Sequence, residues 1–343
     1  MLACGSGGSD ATPAPPEAQA KTAEPNVNAE VPEPEPEPLE IPGGGPDPMT
    51  LGPEVSTSIG GPSDGRLEGG VPLPLHGPGY RFDPRKSPER RHGTVELVQA
   101  LVRAAGAVHE RLPGNALTIG DLSLHEGGVL PGHASHQSGR DVDVMFYLLD
   151  DDGQPFDGKP IPLEPDGTGH DYNDLANGDD DVRVHLDVPR TWAFVEALLS
   201  DRDVSINRIY VVEHVREMLL AHAKTIDAPA ATIDRFVHVT CQPRFPHDDH
   251  MHIRAFCTPD DIEAGCLDTQ PIYPWHATLL REAGVTPVIA GAPKPTKKAK
   301  LTSVKQAREK AAQKQELHPD VVAFLDRREA WAKKPRPGRT FCK

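Results

Sequence analysis

Two short segments of the chain concentrate the residue types that bind and use a divalent metal ion. Residues 132–143 read Gly-His-Ala-Ser-His-Gln-Ser-Gly-Arg-Asp-Val-Asp, and residues 247–252 read His-Asp-Asp-His-Met-His. Together they hold five of the 16 histidines, with aspartates at fixed offsets. Neutral imidazole and carboxylate groups suit a catalytic Zn²⁺ that keeps one coordination position open for water. Because such an ion lowers the pKa of its water and polarises a carbonyl group, the pattern predicts hydrolytic chemistry.

The alternation of a β-strand would place several of these side chains on one face. His250 and His252 are two positions apart, so one can bind the metal while the other stands beside the bound water. Asp143 would point away from the core toward these histidines, and His136 precedes it by seven positions in a loop. Glycines at both ends of that loop give its backbone the freedom to bring His136 over Asp143. Two histidines, one carboxylate and a water would complete a tetrahedral site.

The two segments also resemble a known family. The pattern Gly-His-Ala-Ser-His-Gln-x-Gly-x-Asp-Val-Asp, followed by His-x-x-His-x-His-x-Arg, resembles the penicillin-insensitive murein endopeptidases. These belong to a wider group of zinc peptidases that includes lysostaphin, D-Ala-D-Ala carboxypeptidases and the hedgehog amino-terminal domain. The resemblance extends over about residues 75–270, including Ile-Gly-Asp-Leu-Ser at 119–123 and Asn-Arg-Ile-Tyr-Val at 207–211.

The resemblance implies a role for each residue of the two motifs. It implies three zinc ligands, His136, Asp143 and His252. His250 would be the catalytic base or transition-state stabiliser, with His250 or His247 handling the proton. His133 and His247 match additional histidines of the murein endopeptidases, as auxiliary ligand or as hydrogen-bond partner. The implied reaction is cleavage of the bond between D-alanine and meso-diaminopimelate in peptidoglycan cross-links.

A few positions depart from the family pattern or fit it loosely. Arg140 stands where an aliphatic residue is common, and the acidic insertion at 150–181 has no counterpart that we can match. His185 and Asp187 are positioned as further ligands, and His214 follows a predicted strand. For these three residues a surface position is the favoured interpretation.

The elements that must carry the site are predicted from apolar periodicity. A helix is expected from about Ser87 to Val108, and further helices at 189–200 and 213–223. Strands are expected at 117–124, 141–148, 206–212, 235–240 and 250–256, with a loop at 150–181. The predicted fold class is α+β, with a small antiparallel sheet that carries the zinc site, helices flanking it, and long disordered termini.

Composition divides the chain into three parts. Residues 1–74 are expected to be a disordered tether rich in Pro, Glu and Gly, because they hold too few apolar residues to form a core. Residues 75–290 form the predicted zinc peptidase domain. Residues 291–343 read as a basic, largely flexible tail, solvated or attracted to an anionic envelope polymer. Nucleic acid is not an expected partner, although the tail is basic.

The cysteines and the first residues predict a location outside the cytoplasm. The opening Met-Leu-Ala-Cys resembles the end of a bacterial lipoprotein signal, so Cys4 is expected to be lipidated and to attach the protein to a membrane. An upstream start codon should then encode the rest of the signal. The expected location is the periplasm or cell envelope, as an outer-membrane lipoprotein. Of Cys241, Cys257, Cys266 and Cys342, the second and third are the preferred disulfide pair.

The leading functional prediction is a zinc-dependent endopeptidase that hydrolyses peptide cross-links of peptidoglycan. One alternative is a D,D-carboxypeptidase on stem peptides, which would use the same ligands. Another is a non-catalytic, metal-containing wall-binding domain. Retention of both His250 and His252 argues against lost activity.

Overall fold

The computed structural model describes residues 43–290, 309, 312–313, 316–332, 339 and 341–342. Cys4 and residues 1–42 of the predicted tether lie outside these residues. Residues 43–74, which were also expected to be disordered, instead contain three short strands, because Val71 and Leu73 pack into the apolar core. The helices within them are α1 Val95–Arg111, α2 Val188–Leu199, α3 Glu213–Thr225, α4 Ala230–Val239, α5 Pro259–Glu263, α6 Pro274–Ala283 and α7 Pro319–Ala332. The strands are β1 Thr57–Ile59, β2 Arg66–Glu68, β3 Val71–Pro72, β4 His76–Gly77, β5 Tyr80–Phe82, β6 His92–Gly93, β7 Leu117–Ile119, β8 Asp141–Met145, β9 Leu148–Asp150, β10 Pro155–Phe156, β11 Thr168–Asp171, β12 Val182–Leu186, β13 Ile206–Tyr210, β14 Thr240–Cys241 and β15 His250–Ala255.

The central sheet has seven strands in the order β14-β13-β15-β8-β7-β5-β4. Its middle strands are antiparallel, but β14 runs parallel to β13, and β5 parallel to β7. The mixed α and β content agrees with the prediction, whereas the expected small antiparallel sheet is wrong. The physical reason is that α1 connects β5 to β7, while α3 and α4 connect β13 to β14. Helical crossovers of this kind return the chain in the same direction.

The two central strands separate a core face from a polar face. Val142 and Val144 on β8 lie opposite Ile253 and Met251 on β15, and all four side chains are buried in the apolar core. Helices α1 and α2 pack against each other and contribute buried apolar side chains to the same core. Because strand residues alternate, the intervening Asp143 and His252 project to the opposite face and are direct cross-strand partners.

Three local predictions differ from the structure. The helix expected from Ser87 begins only at Val95, because the intervening chain forms a 3₁₀ turn and strand β6. The strand expected at 235–240 is instead the end of α4, where Phe236 and Val239 are buried at helical spacing. The expected loop at 150–181 contains β10 and β11, which join β9 and β12 in a four-stranded sheet.

Part of the C-terminal segment packs against or is covalently linked to the domain. Helix α7 lies in the segment expected to be a basic tail, and Cys342 forms a disulfide with Cys241. The predicted pair Cys257–Cys266 is confirmed as a second disulfide. Among the helices that the structure describes, none has the length and apolarity needed to cross a membrane.

Candidate metal centre

The carboxylate of Asp143 lies at the centre of a group of imidazoles. Its Oδ1 atom is 3.4 Å from His136 Nε2, 3.4 Å from His252 Nδ1 and 3.5 Å from His250 Nε2. Ligand atoms around a tetrahedral zinc ion, bound at about 2.0–2.1 Å, are separated by about 3.3 Å. Each of the three rings is therefore near enough to Asp143 Oδ1 to share a metal ion with it.

Two of these atoms are buried without a hydrogen-bond partner. His136 Nε2 and Asp143 Oδ1 are both inaccessible to solvent and form no hydrogen bond. Leaving buried polar atoms unpaired is costly, so their placement beside each other calls for a further partner. A metal ion satisfies both atoms at once, and the donor set of imidazole and carboxylate fits such an ion.

His133 borders the same carboxylate from another side. Its Nδ1 atom is 3.7 Å from Asp143 Oδ2, and its Nε2 atom is hydrogen-bonded to Asp121 Oδ2 at 2.8 Å. One ligand atom from each of His133, His136 and Asp143 can be chosen so that all lie within 4.8 Å of one another. This two-histidine, one-aspartate arrangement is a candidate metal site.

Each of the three rings nearest Asp143 is oriented by a hydrogen bond through its other nitrogen. His136 Nδ1 donates to the carbonyl of Leu122 at 2.6 Å. His252 Nε2 lies 2.7 Å from Asp141 Oδ1, and His250 Nδ1 lies 2.6 Å from Asp249 Oδ1. With a proton on each of these nitrogens, the opposite nitrogen of every ring carries a free lone pair toward Asp143. Such outer hydrogen bonds determine the tautomer and orientation of metal-ligating histidines.

The backbone that delivers His136 and His247 is in an unusual conformation. His136 has φ 68° and His247 has φ 51°, in the left-handed region that few non-glycine residues adopt. Gly132 and Gly139, at the ends of the first motif, have φ 95° and 77°. The loop predicted from these glycines is therefore present. The hydrogen bond from His136 Nδ1 to the Leu122 carbonyl helps to hold His136 in its strained backbone conformation.

Electrostatics favour charged carboxylates and a neutral His252, whereas the neighbouring carboxylates, acting against burial, raise the pKa values of His136 and His250 in the metal-free site. Burial opposes ionisation of Asp143, but the rings of His136 and His250 hold its pKa well below the ordinary value. Burial also opposes ionisation of Asp249, yet contact with His250 lowers its pKa to about 2. Burial lowers the pKa of His252 to about 4. Near neutral pH both carboxylates are therefore charged and His252 is neutral, as metal binding requires.

Asp141 is a central residue of the site that the sequence did not single out. Its Oδ1 atom accepts hydrogen bonds from His252 Nε2 and Arg254 Nε, both at 2.7 Å, and its Oδ2 atom accepts from the backbone N–H of His136 at 3.2 Å. One fully buried carboxylate thus connects the loop and strand that meet at Asp143. The Asp-x-Asp spacing was a signal for it, because both aspartates lie on one face of β8.

The remaining motif histidine and the loosely fitting residues have identifiable partners. The His247 ring lies 4.9 Å from that of His250, between centroids, so this predicted site residue joins the group. His185 is bonded to Asp151 at 2.7 Å, and His214 to the carbonyl of Leu163 at 2.9 Å. Asp187 is buried, so the surface position expected for it is wrong; its carboxylate accepts from the backbone N–H of Arg190 and caps α2.

Arg140, which departs from the expected family pattern, has a structural role. Its guanidinium is fully buried and donates to Ser58 Oγ, the carbonyls of Ala255 and Leu267, and Asp268 Oδ1. These bonds hold segments from distant parts of the sequence beside β8. The cation is thus paired with Asp268, which is not a residue of the candidate metal site.

Comparison with known proteins places most of these residues in one family. The sequence profile of the penicillin-insensitive murein endopeptidases matches residues 58–277. A penicillin-insensitive murein endopeptidase of Yersinia pestis is 33% identical over 220 residues, covering 62% of this chain and 71% of the relative. A protein of the same name from Klebsiella pneumoniae is 32% identical over 222 residues, covering 63% and 72%. One from Pectobacterium atrosepticum is 31% identical over 220 residues, covering 63% and 70%.

Proposed function

Because this chain belongs to the penicillin-insensitive murein endopeptidase family, we propose that it is a zinc-dependent endopeptidase that cleaves the D-alanyl–meso-diaminopimelyl bond of peptidoglycan cross-links. The observation that carries the proposal is the convergence of His136, His252 and His250 within 3.4–3.5 Å of one oxygen of Asp143. The names of the relatives support peptidoglycan as the substrate, and the donor set supports zinc.

We assign His136, Asp143 and His252 as the zinc ligands and His133 as a further candidate. His136 and His252 are tied to one buried carboxylate, Asp141, through a backbone N–H and a ring nitrogen respectively. Their side chains are 0% and 9% exposed, so both belong to the deepest part of the site. A bound zinc ion would supply a water of near-neutral pKa and polarise the scissile carbonyl.

His250 is the proposed acid–base residue. Its side chain is 16% exposed, more than those of His136 and His252, so it is more accessible to a substrate than either assigned ring ligand. Asp249 holds the Nδ1 atom at 2.6 Å, which leaves Nε2 to accept a proton and return it to the leaving amine. His247 lies beside it, and burial lowers the pKa of His247 to about 3, which keeps that ring neutral. A neutral second imidazole can hydrogen-bond to the substrate without repelling a protonated His250.

A location in the periplasm or cell envelope follows as part of the proposal. The substrate occurs outside the cytoplasmic membrane, and disulfides such as Cys241–Cys342 and Cys257–Cys266 persist in oxidising compartments. Lipidation of Cys4 remains a prediction about a residue outside the described part of the chain.

Digestion of purified muropeptides tests the proposal and separates it from the carboxypeptidase alternative. The zinc-loaded protein is incubated with a cross-linked dimer and, separately, with a monomer that ends in D-Ala-D-Ala. An endopeptidase converts the dimer to two monomers without releasing free alanine from the monomeric substrate, as read by mass spectrometry. Release of alanine without cleavage of the dimer would favour a carboxypeptidase, and no cleavage of either would contradict the peptidase assignment.

A further inference from the structure

Helix α7 lies outside the part of the chain that matches the family, yet it contacts the loop that carries the motif histidine His247. The family match ends at residue 277, whereas α7 spans Pro319–Ala332. The loop from Gln242 to Asp249 connects β14 to β15, and His247 lies within it. The helix that contacts this loop therefore lies outside the residues that match the family.

The contact is centred on Asp248, a fully buried carboxylate. Arg328 Nη2 donates to Asp248 Oδ1 at 2.7 Å, and Arg328 Nε donates to Oδ2 at 2.9 Å. Trp331 Nε1 also donates to Oδ2 at 2.9 Å. All three of these side-chain hydrogen bonds come from α7. A bidentate arginine–carboxylate pair is among the stronger and more directional contacts in proteins.

Asp248 is adjacent in the chain to residues of the catalytic group, so a shift of Asp248 would also displace the side chains of His247 and His250. It lies between His247, whose backbone is left-handed, and Asp249, whose carboxylate holds the His250 ring at 2.6 Å. Without its partners on α7, the carboxylate would be a buried, unpaired charge. Such a charge is strongly destabilising, so the loop would rearrange to bring it to water. That rearrangement would displace the residues on both sides of Asp248.

Further contacts fasten the C-terminal segment to the start of the same loop. Gln242 Nε2 donates to the carbonyl of Trp331 at 3.1 Å. The disulfide between Cys342 and Cys241 links the C-terminal segment covalently to the residue that precedes Gln242. These attachments hold α7 against the loop at its beginning as well as at Asp248.

We propose that Arg328 and Trp331 are positioning residues, which hold Asp248 so that His247 and the Asp249–His250 pair are aligned for catalysis. The proposal rests on the proposed function and deepens it, because it assigns a role in hydrolysis to a segment outside the family domain. The metal ligands themselves lie on the 132–143 segment and on β15, not on the loop that α7 contacts.

The neighbouring Arg327 provides a matched control on the same helix. Its guanidinium also forms a bidentate pair, with Glu164 at 2.5 and 2.8 Å, but its side chain is 50% exposed and its partner is Glu164, not the buried Asp248. Arg327→Gln and Arg328→Gln therefore remove the same chemical group from adjacent positions. In Arg328→Gln we expect kcat on the cross-linked dimer to fall by ~10²-fold, the loss that a misplacement of about 1 Å can cause. Zinc content and KM should be unchanged, and Arg327→Gln should retain wild-type kcat.

A double-mutant cycle shows whether Arg328 acts through Asp248. Arg328 also lines a cavity of about 420 Å³ together with residues such as Tyr172 and Phe324, so a direct contact with substrate is the competing explanation. If Arg328 acts through Asp248, the double variant Asp248→Asn/Arg328→Gln loses no more kcat than the worse single variant. If Arg328 contacts substrate instead, KM rises and the two losses multiply, which overturns the proposal.

The remaining outcomes also decide the matter. Equal kcat in Arg327→Gln and Arg328→Gln, while the wild type cleaves the dimer, overturns the positioning role and leaves the proposed function intact. An inactive zinc-loaded wild type overturns the proposed function itself. Should Arg328→Gln fail to fold, Trp331→Phe removes a single hydrogen bond to Asp248 and keeps an aromatic, although smaller, side chain. It should lower kcat by ~10-fold, in line with the loss of a hydrogen bond to a charged group, and unchanged kcat would count against the proposal.

Discussion

The substitution Asp141→Asn should weaken metal binding although Asp141 is not an assigned ligand. Burial opposes ionisation of Asp141, but Arg254 and His252 keep its pKa far below the ordinary value, so the carboxylate is charged near neutral pH. Its two oxygens accept from three donors, His252 Nε2, Arg254 Nε and the backbone N–H of His136. Asparagine keeps nearly the same shape but replaces one acceptor oxygen by a donor.

The magnitude follows from the geometry of these bonds. If the amide oxygen occupies the Oδ1 position, its NH₂ group opposes the N–H of His136; if the amide is flipped, the NH₂ group opposes both His252 and Arg254. Either way at least one buried donor loses its acceptor, at a cost of about 1–3 kcal/mol. About 1.4 kcal/mol is tenfold in affinity, so zinc affinity should fall by about 10- to 100-fold. Outer partners of metal-ligating histidines have effects of this order.

Zinc affinity is measured by competition with a chromophoric chelator, in Asp141→Asn and in a control, Asp152→Asn. Asp152 is exposed on the surface, so its substitution should leave the affinity unchanged. Hydrolysis by Asp141→Asn should recover at high zinc concentration, because the assigned ligands remain. Wild-type zinc affinity in Asp141→Asn would refute the orienting role of this carboxylate.

Three further outcomes follow from the site and the core. His252→Ala should lose most of its zinc, whereas the exposed His76→Ala should keep it; metal analysis that finds full occupancy in His252→Ala would remove that ligand assignment. His250→Ala should retain zinc and lose ~10²–10⁴-fold in kcat, and an emptied site would mean that the roles of His250 and His252 are exchanged. Burial lowers the pKa of His276 to about 3, so below about pH 6.5 the unfolded chain binds a proton that the folded protein excludes, and stability falls as pH decreases. Between about pH 7.5 and pH 5, the free energy of unfolding measured in urea should therefore decrease by about 2 kcal/mol less in His276→Phe than in the wild type. An identical pH dependence of the two proteins would contradict this prediction.

The residues brought together at Asp143 were predictable because their relationship is local and periodic. His250 and His252 share a strand face, and Asp143 is the direct cross-strand partner of His252. The glycines around His136 signalled a loop that could return over the strand, and His136 does adopt a left-handed backbone. Resemblance to a family then supplied roles that spacing alone had left open between the two histidines of β15.

The partners of these residues were harder to predict because they depend on distant parts of the chain. Arg328 and Asp248 are 80 residues apart, and an ion pair leaves no spacing pattern in a sequence. The basic composition around Arg328 indicated a solvated tail, whereas α7 buries this cation against the domain. The parallel edges of the sheet were missed for a related reason, since their direction is set by helical crossovers and not by the strands themselves.

The most direct test of the account is to follow cleavage of a cross-linked muropeptide dimer while zinc is added back to chelator-treated protein. The account predicts no cleavage by the metal-free wild type and full recovery at about one equivalent of zinc per chain, the number of ions that a single three-ligand site holds. Asp143→Ala, measured in parallel, should remain inactive at the same zinc concentration. Cleavage by the metal-free protein, or full activity of Asp143→Ala, would contradict the central claim that the group around Asp143 is a catalytic zinc site.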